Sequence, residues 1–240
     1  MKYVFYVLGA LLGLILSFIL LVIVSSAFVK KKEYDKNSKY YRFLLHSSTA
    51  VGLKLARIKI HTSGIEKIPK DSRYLLVCNH RSKFDPIITW HILHDPDIAF
   101  ISKPENFNVP IFGRIIRKCC FLAIDRENAK NAILTINKAA ELIKKDEVSV
   151  GVYPEGTRNY EEGLLPFHNG VFKIAQLAKV PIVVVAMRGT DNIKTNYPLK
   201  RSHVYFDVVD VLSEEYVKSN RTAAIGDLVR EEIETKIKES

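Results

Sequence analysis

Seven consecutive residues, Asn79-His80-Arg81-Ser82-Lys83-Phe84-Asp85, have the types and spacing to move a proton. An imidazole accepts a proton near neutral pH, and a nearby carboxylate fixes its tautomer and stabilises the imidazolium. His80 and Asp85 are therefore a candidate general base and its orienting acid. The same residues also suit a plainer arrangement, a His in a solvated loop and an Asp capping a helix that has Pro86 at its first position. A second segment, Tyr153-Pro154-Glu155-Gly156-Thr157-Arg158, mixes an acid, a glycine, a hydroxyl and a guanidinium. Gly156 can bring backbone N–H groups close to a ligand, and Arg158 can fork onto a phosphate or carboxylate. A third, Phe121-Leu122-Ala123-Ile124-Asp125-Arg126, ends in a charged pair. There Arg126 is a candidate phosphate ligand and Asp125 a candidate helix cap. Lys103 is a further candidate cation.

Each of these segments follows an apolar run. Tyr74 to Cys78, Ile98 to Ser102, Phe121 to Ile124, Val148 to Tyr153 and Pro181 to Met187 read as strands, and Arg57 to His61 and His203 to Val209 as flanking ones. Between them, Pro86 to Leu93, Val109 to Lys118, Ala129 to Lys144, Gly170 to Lys179 and Thr222 to Lys238 carry helical signals. Strands alternating with helices predict an α/β fold with a mixed, largely parallel β-sheet flanked by helices. In such sheets ligands bind beyond the carboxyl ends of the strands, where His80, Lys103, Arg126 and Glu155 to Arg158 all fall.

The N-terminal segment has another purpose. From Tyr3 to Val29 no residue is charged, and a membrane-spanning helix needs about 20 such residues. The run exceeds a signal-peptide core, so residues 1–29 are expected to be an N-terminal hydrophobic membrane-anchoring helix. Lys30, Lys31, Lys32, Lys36, Lys39 and Arg42 follow it, against only Lys2 before it. That asymmetry predicts a cell-membrane protein with its domain on the cytoplasmic side. Residues 30–56 are expected to be a basic juxtamembrane stretch and a second helix, which either lies on the membrane surface or packs on the domain. Residues 57–240 are expected to form that domain. The formal net charge of +10 suits anionic lipid or an acidic protein. Nucleic acid is the weakest candidate and is not expected as a partner, because no helix-turn-helix, zinc-finger or RNA-binding signature is present and the N-terminus points to a membrane. Cys78, Cys119 and Cys120 lack metal spacing and read as reduced core thiols. Among the other histidines, His61, His91, His94, His168 and His203 form no metal-binding spacing with His80, so no metal is expected.

Taken together, these segments resemble the phospholipid-synthesis acyltransferase family. Asn79-His80, four residues and then Asp85 match its first block. Phe121 to Arg126, Tyr153 to Arg158 and Val180-Pro181-Ile182 match three more in the family's order. Tyr153 stands where the family usually has Phe, and His168 where it commonly has a basic residue. The resemblance implies a glycerol-3-phosphate acyltransferase-like sheet and roles for these residues. His80 would deprotonate the acceptor hydroxyl as it attacks an acyl thioester, and Asp85 would orient His80. Arg126, with Lys103 and Arg158, would hold the acceptor's phosphate. Glu155, Gly156 and Thr157 would position the glycerol or the developing oxyanion. The implied acceptor is a lysophosphatidate in the membrane, and the implied donor is acyl-CoA or acyl-carrier protein, with no cofactor.

Overall fold

The computed structural model describes residues 2–94 and 97–239. The helix α1 (Lys2–Ala27) precedes α2 (Lys39–Leu55) and strand β1 (Ile58–Ser63). β2 (Leu75–Cys78), α3 (Asp85–Ile92), β3 (Ile98–Ser102), α4 (Phe112–Lys118) and β4 (Leu122–Ala123) follow. The chain continues through α5 (Ala129–Lys144), β5 (Ser149–Val152), α6 (Lys173–Ala178) and β6 (Ile182–Arg188). It ends with α7 (Ile193–Asn196), β7 (Ser202–Leu212), α8 (Glu214–Ser219) and α9 (Thr222–Lys238).

The seven strands form one sheet in the order β1-β7-β6-β2-β5-β3-β4. Only the β6–β7 pair is antiparallel. This is the mixed, largely parallel sheet that the apolar runs predict. The central strands β2, β5 and β6 are buried almost throughout, as strands covered on both faces must be, which is why they read as unbroken apolar runs. The functional consequence is geometric. β2, β5, β3 and β4 are adjacent and parallel, so their carboxyl ends share one edge of the sheet.

Among the described residues, α1 is the one helix long and apolar enough to cross a membrane, and its side chains are exposed over most of its length. Its last turn docks on the domain. Tyr41 Oη donates to the Ser25 carbonyl at 3.0 Å, and Arg114 Nη1 donates to those of Ser26 and Ala27 at 3.3 and 3.1 Å. Of the two arrangements expected for the second helix, packing accounts for one face. α2 lies against α3 and α4 and buries Leu45 and Leu53, while Phe43, Val51 and Leu55 stay exposed. Arg42, expected among the juxtamembrane cations, is only 3% exposed. Its guanidinium donates to the carbonyls of Ile98 and Cys119 at 2.5 and 2.9 Å and lies 3.5 Å from Asp97. A buried guanidinium is retained only with such partners, so Arg42 stitches α2 to the sheet and the helix belongs with the domain.

Candidate active site

His80 lies two residues beyond β2. Its Nδ1 is 2.7 Å from Asp85 Oδ2, and this pairing leaves Nε2 for the cleft that His80 lines. The same Oδ2 accepts the backbone N–H groups of Arg81 and Ser82, each at 2.7 Å. Asp85 is fully buried, and three donors on one oxygen offset the cost of desolvating its charge. The expectation that Asp85 caps the next helix is corrected here. Asp85 is the first residue of α3, and its carboxylate turns back onto the preceding loop rather than forward onto the helix N–H groups. The loop between His80 and Asp85 closes on itself, so the carboxylate sets both the imidazole and the turn that carries it.

The two principal motifs brace one another. The His80 N–H donates to Glu155 Oε1 at 2.7 Å, and the Asn159 N–H donates to the His80 carbonyl at 2.7 Å. Glu155 Oε2 accepts the Leu165 N–H at 3.0 Å. Both Glu155 oxygens are therefore occupied by backbone. The family resemblance implies a place for this residue beside substrate; in the structure both its oxygens hold the loop after β5 to the loop after β2 and to Leu165. Burial raises the Glu155 pKa, and the Leu165 and His80 N–H bonds oppose that rise. Asn79 continues the β2–β6 ladder beyond its end with its side chain. Its Nδ2 donates to the Met187 carbonyl at 2.9 Å, and its Oδ1 accepts the Met187 N–H at 2.8 Å. The Tyr153 ring stacks on the His80 imidazole with centroids 4.3 Å apart and planes 21° apart. The ring surface, which Phe would share, restrains the imidazole from its second side. The bracing by Asn159 and the stack of Tyr153 have no local sequence signal, since each depends on a partner more than 70 positions away.

The remaining candidates surround the same cleft, a space of about 440 Å³. Lys103, after β3, and Arg126, after β4, line it with Gly156, Thr157 and Arg158 from the loop after β5. Lys83 lines it too and was not among the cations singled out by spacing. Trp90, Phe100 and Phe121 form an apolar wall. Three strand steps, β2 to β5 to β3 to β4, separate the strand leading to His80 from the strand leading to Arg126. That spacing separates a proton acceptor from a cationic margin. Gly156 has φ +72°, and a Cβ there would meet the His168 ring at 2.7 Å, so both its backbone and its surroundings require glycine. Asp125 does not cap α5. Asn128 does, accepting the N–H groups of Lys130 and Asn131, while Asp125 Oδ2 accepts the Asn131 side-chain amide at 2.9 Å.

Two further cavities adjoin the cleft. One of about 490 Å³ shares Arg126, Tyr153 and Gly156 with it and extends past His168. The other, about 600 Å³, shares Lys83, Ile87 and Phe112 and runs along α2. Cys78 is buried beside the site, and burial raises its thiol pKa well above the usual value, consistent with an inert core thiol. Among the described residues no three His, Cys, Asp or Glu side chains gather as a metal-binding group. His61 instead pairs with His203 at 3.0 Å on the outer strands.

A largely parallel sheet with a buried-acid histidine at one strand end and cations at its neighbours defines a class of α/β transferase-like sites. The acyltransferase family model matches residues 59–188, more than half the chain, and the chain belongs to the acyltransferase family. Curated relatives include the 1-acyl-sn-glycerol-3-phosphate acyltransferases of Escherichia coli and Saccharomyces cerevisiae. The first is 34% identical over 58% of this chain and 55% of its own length. The second is 28% identical over 76% of this chain and 61% of its own length. The matched stretch thus spans between about half and three-fifths of these relatives. The crystal structure of the 1-acyl-sn-glycerophosphate acyltransferase from Thermotoga maritima shares the fold, with a TM-score of 0.70 and 22% identity, covering 91% of this chain and 86% of that one.

Proposed function

We propose that this chain transfers a fatty acyl group from acyl-CoA or acyl-carrier protein to the sn-2 hydroxyl of 1-acyl-glycerol-3-phosphate, giving phosphatidate. The observation that carries the reading is the His80–Asp85 contact of 2.7 Å inside a cleft edged by Lys83, Lys103, Arg126 and Arg158. With Nδ1–H directed at Asp85, His80 Nε2 accepts the proton of the acceptor hydroxyl as its oxygen attacks the thioester carbonyl. The tetrahedral intermediate then expels the thiolate, and His80 returns the proton to that sulfur. Thr157 and the Gly156 turn lie where the developing oxyanion or the glycerol is held. Arg126, Lys103 and Arg158 receive the phosphate, for which guanidinium is the better-matched donor. The two adjoining cavities are mostly apolar-lined and fit hydrocarbon chains. The thioester carries the activated acyl group, so the reaction needs no metal or redox cofactor. The apolar length of α1 supports attachment at the cell membrane, and the cations after it favour a domain on the cytoplasmic side.

The test is acyl transfer by the purified full chain, with both donors against a panel of lysolipids. His80→Ala is expected to lower turnover by about 10²–10⁴ while the protein stays with membranes. Normal turnover with lysophosphatidate would remove His80 as the base. His168 packs against Gly156, where the family commonly has a basic residue, and this favours a second reading in which another lysophospholipid is the acceptor. Faster turnover with that acceptor in the same panel would select it.

A further inference from the structure

The connection from β6 to β7 takes no part in the cleft chemistry, yet its tip is strongly exposed and apolar. Leu199 is 84% exposed and Tyr197 54%. The tip is held in place from several sides. Arg57 Nη1 donates to the carbonyls of Pro198 and Leu199 at 3.2 and 3.1 Å. The Lys200 N–H donates to the Asn196 carbonyl at 2.7 Å, and Asn196 Nδ2 donates to Ser202 Oγ at 3.1 Å. An ordered loop thus presents its apolar side chains outward. Cations flank them along the chain, Lys194, Lys200 and Arg201, and Arg57, just after α2, is bonded to the tip itself. Residues 193–201 include no acid, and the preceding Asp191 lies 3.8 Å from Arg81.

The loop's position relative to α1 says what this surface meets. Val22 of α1, Leu55 of α2 and Ile193, Lys194 and Tyr197 of the loop line one groove. A helix from Lys2 to Ala27 rises about 39 Å, against a hydrocarbon thickness of about 30 Å. The turns from Val22 onward therefore reach headgroup level when α1 spans, and Tyr197 reaches it with them. Tyrosine at that depth, a leucine at the tip and cations at the flanks are the composition of an interfacial contact.

We infer that residues 193–201 form a second membrane contact, which seats Tyr197 and Leu199 in the interface and binds anionic phospholipid headgroups through Lys194, Lys200 and Arg201. The inference rests on the proposed placement of α1 in a bilayer and is independent of the acyl-transfer chemistry. A single spanning helix can tilt in the bilayer, and the domain docked on its last turn tilts with it. A second contact restrains that tilt and keeps the groove along α2 turned toward lipid.

A single probe tests it. The native cysteines are buried, so Leu199→Cys offers one exposed thiol for an environment-sensitive fluorophore. The labelled full chain is reconstituted in phosphatidylcholine vesicles and in mixed phosphatidylcholine–phosphatidylglycerol vesicles carrying doxyl-labelled lipids. The expected result is quenching by shallow doxyl groups, stronger with phosphatidylglycerol, and cut to about half or less by K194E/K200E/R201E because anionic lipid attracts each cation. A probe that is unquenched and accessible to iodide in both vesicles overturns the proposal. So does a blue shift that ignores doxyl lipid and grows with protein density, which would assign the loop to a second copy of the chain. Flotation of the same samples reports α1 separately. A chain that floats with an unquenched probe refutes the loop contact alone, and a chain that does not float refutes the placement on which the contact rests.

Discussion

The carboxylates at positions 85 and 155 look alike in the sequence and do different work. Asp85 meets the imidazole, whereas Glu155 meets only backbone N–H groups. Their amides should therefore fail differently. In Asp85→Asn, the amide oxygen can still accept the three hydrogen bonds made to Oδ2, but His80 loses the charge that stabilises the imidazolium. Turnover should fall by more than about tenfold while the KM for either substrate holds, since the effect enters through the base. An unchanged turnover number would remove Asp85 from the chemistry. In Glu155→Gln, the amide Nε2 must face either the His80 N–H or the Leu165 N–H, donor against donor. An unmatched buried donor costs about 1–3 kcal/mol, so a lowered melting temperature should accompany any loss of rate. Arg126 tests the cationic margin. Arg126→Ala should raise the KM for a phosphate-bearing acceptor and leave that for the acyl donor alone, and steady-state kinetics with the two substrates varied in turn separates these effects.

The elements were legible to the extent that their signals were local. The buried strands β2, β5 and β6 show as apolar runs, and α5 shows as helical spacing that the structure keeps at Ala139, Ala140 and Ile143. The start of α3 and the role of α2 were less legible, because each depends on residues far along the chain. The Asp-Pro pair marks the helix start correctly but not the direction in which the carboxylate points. α2 also carries a pH signature. Burial, with the nearby charge of Arg42, lowers the His46 pKa from 6.5 to about 4, against the opposing effect of Asp97, while His91 and His94 add smaller depressions. The folded protein thus holds His46 neutral where the unfolded chain would protonate it. Stability from this group is present above pH 6.5 and is lost as pH falls from there toward 4. Thermal melts from pH 7 to pH 5 should show the native protein losing more stability than His46→Leu, and parallel curves would contradict the linkage.

For the molecule as a whole, the decisive relation is between α1 and the sheet edge. α1 exposes an apolar surface that water does not favour, while its last turn is bonded to the domain through Ser25, Ser26 and Ala27. Removing residues 2–24 leaves that docking turn and the sheet intact. The shortened chain should keep its melting temperature and lose co-flotation with vesicles, provided α1 is the main attachment. A shortened chain that floats as before would transfer that role to other surfaces. By itself, the sequence determined which residue types stand at the strand ends, the alternation that makes the sheet largely parallel, and the apolar run of α1. These are consequences of periodicity and of neighbours within a few positions. Only the tertiary structure decided that Glu155 braces while Asp85 orients, that Arg42 is buried, and that Tyr153 and Asn159 restrain His80. In each case a buried polar group or ring had to find its partner across strands. Which partner it finds depends on sheet order, and local patterning does not carry that order.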